Sequence, residues 1–118
     1  MSPAKATMTV RHATDKASIV DIEGEVTSAA ENALMDAYTQ AISHNASVIV
    51  LNFSRMEYMN SSGIGLLVTL LIRINRQKQK LLTYGLSDHY RQIFALTRLN
   101  EAIGVYNSEP EALAAANV

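Results

Sequence analysis

Two adjacent hydroxyls, Ser61 and Ser62, stand between a carboxamide, Asn60, and a glycine, Gly63, just before a long apolar stretch. Asn and Ser are preferred at helix starts, where their side-chain oxygens accept from free backbone N–H groups. The same position carries partial positive charge and unpaired donors, so a phosphoserine there need not unfold a domain. An ordinary capped helix start uses the same residue types. Two serines and a glycine are more than a cap requires, however, and Gly63 weakens the first turn. From the residues alone, this segment is a helix start able to carry a phosphate.

Other chemistry finds little support. There is no G-x-x-x-x-G-K-S/T loop, and Gly63-Ile64-Gly65 lacks the third glycine of a dinucleotide fingerprint. Ser61 lacks the G-x-S-x-G context of a hydrolase nucleophile. His12, His44 and His89 are far apart and show no metal-binding spacing. Glu23 and Glu25 flank Gly24 and could form an acid/base pair, but solvated turn charges are the simpler reading. No cysteine is present, which excludes a disulfide framework, a thiolate metal site and a cysteine nucleophile. The expectation is a non-enzyme with no cofactor and no metal.

Bulk properties narrow the class further. The chain has 118 residues, enough for one core and one domain. Hydrophobic residues make up 48% and charged residues 18%, an ordinary globular balance. A net charge of −1 gives no electrostatic reason to expect nucleic acid or an anionic membrane as partner. The longest apolar stretch, Ile64 to Ile74, is interrupted by Gly65, Thr69 and Arg73 and falls short of the roughly 20 residues that span a bilayer. With no signal-peptide pattern at Met1 to Val10, the expected location is cytoplasmic, without membrane insertion.

The elements that must position the serines follow from periodicity. Residues 1–7 are expected to be a flexible tail and 8–118 one domain. Met8 to His12 and Ala17 to Glu23 have strand character, with Gly24 and Glu25 breaking the second. Ser28 and Glu31 have capping-box spacing ahead of a helix with Ala30, Ala33, Leu34, Ala37, Tyr38, Ala41 and Ile42 on one face. His44-Asn45 is its stop. Ser47 to Phe53 is nearly continuous in apolar residues, the mark of a central buried strand, and a short polar loop is expected after it.

A second helix spans about Ser61 to Gln79. At about 100° per residue, Ile64, Leu67, Val68 and Leu71 cluster on one side. Leu66 lies roughly opposite, where its exposure would suit a docking partner, and Ile72 lies well to the flank. Leu81 to Tyr84 is a short strand ended by Gly85, and Ser87 or Asp88 caps a third helix. Val105-Tyr106 is a last strand, and Ser108 with Glu111 caps a fourth helix with Pro110 in its first turn. The order β-β-α-β-α-β-α-β-α implies an α/β fold with a mixed sheet and helices packed on it.

Gly24-Glu25-Val26, Val48-Ile49-Val50-Leu51-Asn52-Phe53 and Tyr58-Met59-Asn60-Ser61-Ser62-Gly63-Ile64-Gly65, in this element order, resemble the STAS domain of bacterial anti-sigma factor antagonists. The resemblance runs from about residue 8 to 115. It implies a mixed four- to five-stranded sheet with about four helices, and a partner switch in signal transduction and transcription regulation. The unphosphorylated antagonist binds an anti-sigma factor that is also a serine kinase, and phosphorylation releases it. A PP2C-type phosphatase reverses the modification. By position the resemblance makes Ser61 the phospho-acceptor, with Thr27, Asn60, Ser62, Gly63 and Leu66 as partner-binding residues. The family's motif aspartate is Asn60 here, and the aspartate that often follows Gly-Glu-x is Thr27. Similar domains also serve as regulatory subunits of ABC-type lipid transporters or of biofilm, motility and stress complexes, a reading that sequence leaves open.

Overall fold

The computed structural model of the protein describes residues 6–117. The expected tail, residues 1–7, falls mostly outside that range; β1 (Thr7–His12) begins at Thr7. The remaining elements are β2 (Ala17–Val26), α1 (Glu31–Ala41), β3 (Val48–Met59), α2 (Ser61–Arg76), β4 (Lys80–Tyr84), α3 (Asp88–Leu96), β5 (Gly104–Tyr106) and α4 (Glu109–Ala116). The five strands form one sheet in the order β1-β2-β3-β4-β5. β1 pairs antiparallel with β2, and the other neighbours are parallel. The expected mixed α/β architecture is the one observed. Among the described residues, no helix is long and apolar enough to cross a membrane.

Alternation along the strands divides the core into two layers. Val20, Ile22, Val26, Ile49, Leu51, Phe53 and Leu81 face α1, α2 and α3. Ala17, Ile19, Val48, Val50, Leu82 and Tyr84 face α4, which meets them with Ala112 and Ala116. Val48 to Leu51 are all buried because β3 is covered on both faces, as their unbroken apolar run predicts.

The long strands differ from expectation where they matter most. β2 continues through Gly24, which takes a φ of 89°, and reaches Val26. β3 continues past Phe53 to Met59, so the polar stretch is strand. Its last residues pair with β2 alone (Glu23 with Arg55, Val26 with Met59), across two register shifts. A two-stranded ribbon projecting beyond β4 has little to bury, which is why Ser54 to Tyr58 look polar. Thr27, rather than Ser28, caps the next segment, accepting from the Ala29 N–H ahead of a short 3-10 helix, Ser28–Ala30. Asn45 ends the α1 region in the left-handed conformation, as expected of Asn at a helix stop.

One charged network ties α4 to the sheet. Arg11 donates to both carboxylate oxygens of Asp21, at 2.6 and 2.9 Å, and to Glu109 Oε1 at 2.8 Å. The Tyr84 hydroxyl donates to the same Glu109 oxygen at 2.8 Å. The Arg11 hydrogen bonds hold the carboxyls of Asp21 and Glu109 below their ordinary values. Burial, then the bond to Glu109, pushes the Tyr84 phenol up to about 12.

Because both carboxyls bind protons less readily folded than unfolded, the network adds stability at neutral pH. That stability is lost as pH falls through the ordinary carboxylate range and the lowered folded values. The urea midpoint should therefore drop between about pH 5 and pH 3. Arg11→Ala should flatten that drop and cost on the order of 1 kcal/mol at pH 7, a small figure because these groups are part-exposed. An unchanged pH profile in Arg11→Ala would show that the network is not what titrates.

Candidate functional site

The parallel strands β2 and β3 end side by side, and α2 starts one residue beyond β3. Asn60 is the hinge of this junction. Its N–H donates to the Val26 carbonyl at 3.3 Å, joining the two strand ends. Its side-chain oxygen accepts from the Gly63 N–H at 2.9 Å, so Asn60 is the N-cap in the form its residue type predicts. On the other side of the corner, the Tyr90 hydroxyl of α3 accepts from the Met59 N–H at 2.8 Å. That contact pins the last residue of β3, and no short motif announced it.

Gly63 has a second reason to be glycine. A Cβ there would lie 2.2 Å from the Val26 carbonyl oxygen and 2.8 Å from Met59 Cγ. The helix start is pressed against the end of β2, and only a residue without a side chain allows it. The weakened first turn is thus accounted for by packing. Ser61 and Ser62, the first two helical positions, remain exposed on the solvent side of that contact.

The candidate residues divide accordingly. Asn60 and Gly63 meet the end of β2 at the Val26 carbonyl, Thr27 follows that residue in the chain, and Ser61 and Ser62 are presented outward. Leu66 does not join them: it is 9% exposed and belongs to the core, contrary to the exposure expected of it. The buried face of α2 is Gly63, Leu66, Leu67, Leu70, Leu71 and Ile74. Including Leu70 and Ile74 turns the apolar stripe by about a quarter turn, bringing Leu66 inside and Val68 outside. The exposed apolar residues of the helix are instead Val68 at 38% and Ile72 at 47%.

The electrostatics of this helix also stand apart. α1 carries Glu31 in its first turn, α3 carries Asp88, and α4 carries Glu109 and Glu111. α2 carries no acid there. Acids in the first turn offset the positive end of the helix dipole. In α2 that end is capped by the neutral Asn60 oxygen, so it keeps its attraction for an added anion.

Among the described residues, no competing site gathers free catalytic groups. A cavity of about 440 Å³ on the α4 side of the sheet is lined by Thr9, Arg11, Asp21, Ile22, Glu23, Asn52, Ser54 and Arg55. Its charges are paired with one another, Arg11 with Asp21 and Arg55 with Glu23. Glu23 and Glu25 lie on a strand rather than in a turn. Among the described residues, no group of three or more His, Asp or Glu side chains could hold a metal ion.

Residues 9–106 match the protein family described as Mlab, STAS domain. The chain belongs to the STAS domain family. It is 30% identical over 64 residues to an anti-sigma-B factor antagonist of Listeria monocytogenes serovar 1/2a. That match covers 54% of this chain and 56% of the relative, so the STAS chain spans little more than half the length of the curated relative it matches. An anti-sigma factor antagonist from Mycobacterium paratuberculosis has the same fold, with a TM-score of 0.80 at 21% identity over 96% of this chain and 95% of that one. The Bacillus cell fate determinant SpoIIAA also shares it. Its unphosphorylated form gives 0.73 at 19% identity, covering 94% and 98% of the two chains. Its phosphorylated form gives 0.70 at 21% identity, covering 92% and 97%.

The junction makes a stability prediction independent of function. Gly63→Ala should lower unfolding free energy by about 1–3 kcal/mol in urea titration, the usual cost of forcing a methyl into a packed contact. Asn60→Ala should lower it by ~1 kcal/mol through loss of the cap, whereas Asn60→Asp should leave it equal or higher. A Gly63→Ala protein as stable as wild type would mean that the helix start does not press on Val26.

Proposed function

We propose that this chain is an anti-sigma factor antagonist working by partner switching. In its unphosphorylated form it binds an anti-sigma factor that is also an ATP-dependent serine kinase. The kinase transfers a phosphoryl group to Ser61 Oγ, releasing ADP, and the complex separates. A PP2C-type phosphatase hydrolyses the ester and restores the binding form. Thr27, Asn60, Ser62 and Gly63 shape the surface that the partner meets. Leu66 contributes from within the core, by holding α2 in place.

The observation that carries this reading is the exposed Ser61 at the first position of α2, which among the described α-helices is the one without a first-turn acid. A phosphoserine there would bring nearly two negative charges to a helix end whose dipole favours them. The fold has no reason to change. What changes is the surface: a partner packing on the exposed apolar side of α2 would have to desolvate a dianion. Similarity to antagonists, and to SpoIIAA in both phosphorylation states, supports the same role.

Asn60 sets this chain apart from the aspartate of the family motif. A neutral cap removes repulsion toward a phosphate on the next residue, and it also removes a charge that a kinase could recognise.

Ser61→Ala should keep partner binding and resist phosphorylation. Ser61→Asp or Ser61→Glu should weaken the complex at least tenfold in calorimetric titration. Incubation of wild type with its cognate kinase and ATP should add one phosphate by intact mass, on Ser61 by peptide mapping. Phosphate on Ser62 or nowhere would sink the assignment. Capture of a transport ATPase from the native cell, with Ser61 unmodified, would replace the antagonist role with that of a transporter subunit.

A further inference from the structure

Gly65 is the residue of α2 that the fold does not explain. A glycine inside a helix costs stability relative to alanine, and Gly63 justifies its own by close packing. Gly65 has no such neighbour: a Cβ built on it would meet nothing within 4 Å. It lies on the exposed side of the helix.

Its position on that side is informative. At about 100° per residue, Ser61, Gly65, Val68, Ile72 and Arg76 fall within an arc of about 80°, opposite the buried stripe. All five are exposed. They form a track with a hydroxyl at one end, a notch at Gly65, two exposed apolar side chains, and a guanidinium at the other end. Charge along the track is one-sided. From residue 61 to 80 the sequence holds Arg73, Arg76, Lys78 and Lys80 and no Asp or Glu. Neither Arg73 nor Arg76 forms an ion pair among the described residues, although Arg11, Arg55 and Arg98 all do. The helix dipole accounts for basic residues in a last turn; it does not account for a glycine in the middle of an exposed face.

We infer that Gly65 is a docking notch for an amphipathic helix of the partner protein, crossing α2 with an apolar side chain seated over Gly65, between Ser61 and Val68. The end of that helix nearest Arg76 carries carboxylates. A missing side chain lets two helix backbones approach more closely than their ordinary separation of about 8–10 Å. Val68 and Ile72 supply the apolar floor, and Arg73 and Arg76 find the charge partners they lack among the described residues. This inference rests on the partner-switch reading and names the surface on which it acts. Ser61 is four residues before Gly65, hence its neighbour along the helix face. A phosphoryl group on Ser61 stands at the rim of the notch and obstructs the seated side chain.

The test separates the notch from the fold and from the switch. The protein captured by the wild-type chain from its native cell is identified, purified and titrated against wild type, Gly65→Ala, Gly65→Leu, Arg76→Glu and Ser61→Glu. Gly65→Ala should raise the melting temperature, by about 4 °C on helix propensity, and yet weaken the complex several-fold. Gly65→Leu should weaken it at least tenfold while the chain stays folded by circular dichroism, and Arg76→Glu should weaken it with reduced salt dependence. Binding of Gly65→Leu within twofold of wild type overturns the notch, whatever Ser61→Glu does. Loss of binding in Gly65→Leu with no effect of Ser61→Glu upholds the notch and overturns the phosphate switch. Binding of wild type, but not Ile72→Ser, to vesicles of three parts phosphatidylcholine to one part phosphatidylglycerol would overturn the helix partner in favour of a lipid surface.

Discussion

A methyl group will not fit between residue 63 and the Val26 carbonyl, where it would lie 2.2 Å from the oxygen. That close approach fixes the angle at which α2 leaves the sheet. Once the helix start is pressed onto the end of β2, the Gly63–Leu66–Leu67–Leu70 side must turn into the core and the opposite side must face water. The Asn60 cap and its bond to the Val26 carbonyl hold the same corner from the backbone. Exposure of Ser61, burial of Leu66 and the outward track through Gly65 are consequences of this one contact.

Periodicity carried the fold a long way. The element order, the central buried strand at Val48 to Leu51, the Asn45 stop and the helix start at Ser61 were all legible because local propensity and burial agree there. The reading failed where tertiary context overrode local signals. Gly24 looked like a strand breaker, but a bulged strand accommodates a residue with positive φ. Ser54 to Tyr58 looked like a loop because a two-stranded ribbon has almost no core to bury. In α2 the apolar residues nearly encircle the helix, so a partial count pointed the stripe the wrong way and put Leu66 outside. At the site, the serines were visible as a cap. The role of Gly63 was not, because nothing in the local sequence says that a strand end lies against it.

The two faces of the sheet handle charge differently. On the α4 side, Arg11, Asp21, Glu109 and Tyr84 satisfy one another, and Arg55 answers Glu23. A self-paired network is a device for holding elements together and leaves little for a ligand to gain. On the α2 side, Arg73 and Arg76 form no ion pair among the described residues, and Val68 and Ile72 are exposed. Unmatched groups cost little while water solvates them, and they become attractive when a complementary surface removes that water. The first arrangement suits structure and the second suits recognition, which is why the polar cavity beside Arg11 and Asp21 is the weaker candidate for function.

Asn60 bears on how such a switch would be balanced. Two unit charges a few ångströms apart near a protein surface repel by roughly 1–4 kcal/mol, depending on how much water lies between them. An aspartate cap would place that repulsion beside a phosphate on Ser61, whereas the carboxamide keeps the hydrogen bond to Gly63 and omits the charge. The neutral cap would therefore favour a phosphorylated Ser61 relative to the family pattern, and the absence of first-turn acids would act in the same direction. On the partner-switch reading, the off state of this chain is stabilised from within. Return to the binding form then depends on hydrolysis by the phosphatase rather than on electrostatic strain in the helix start.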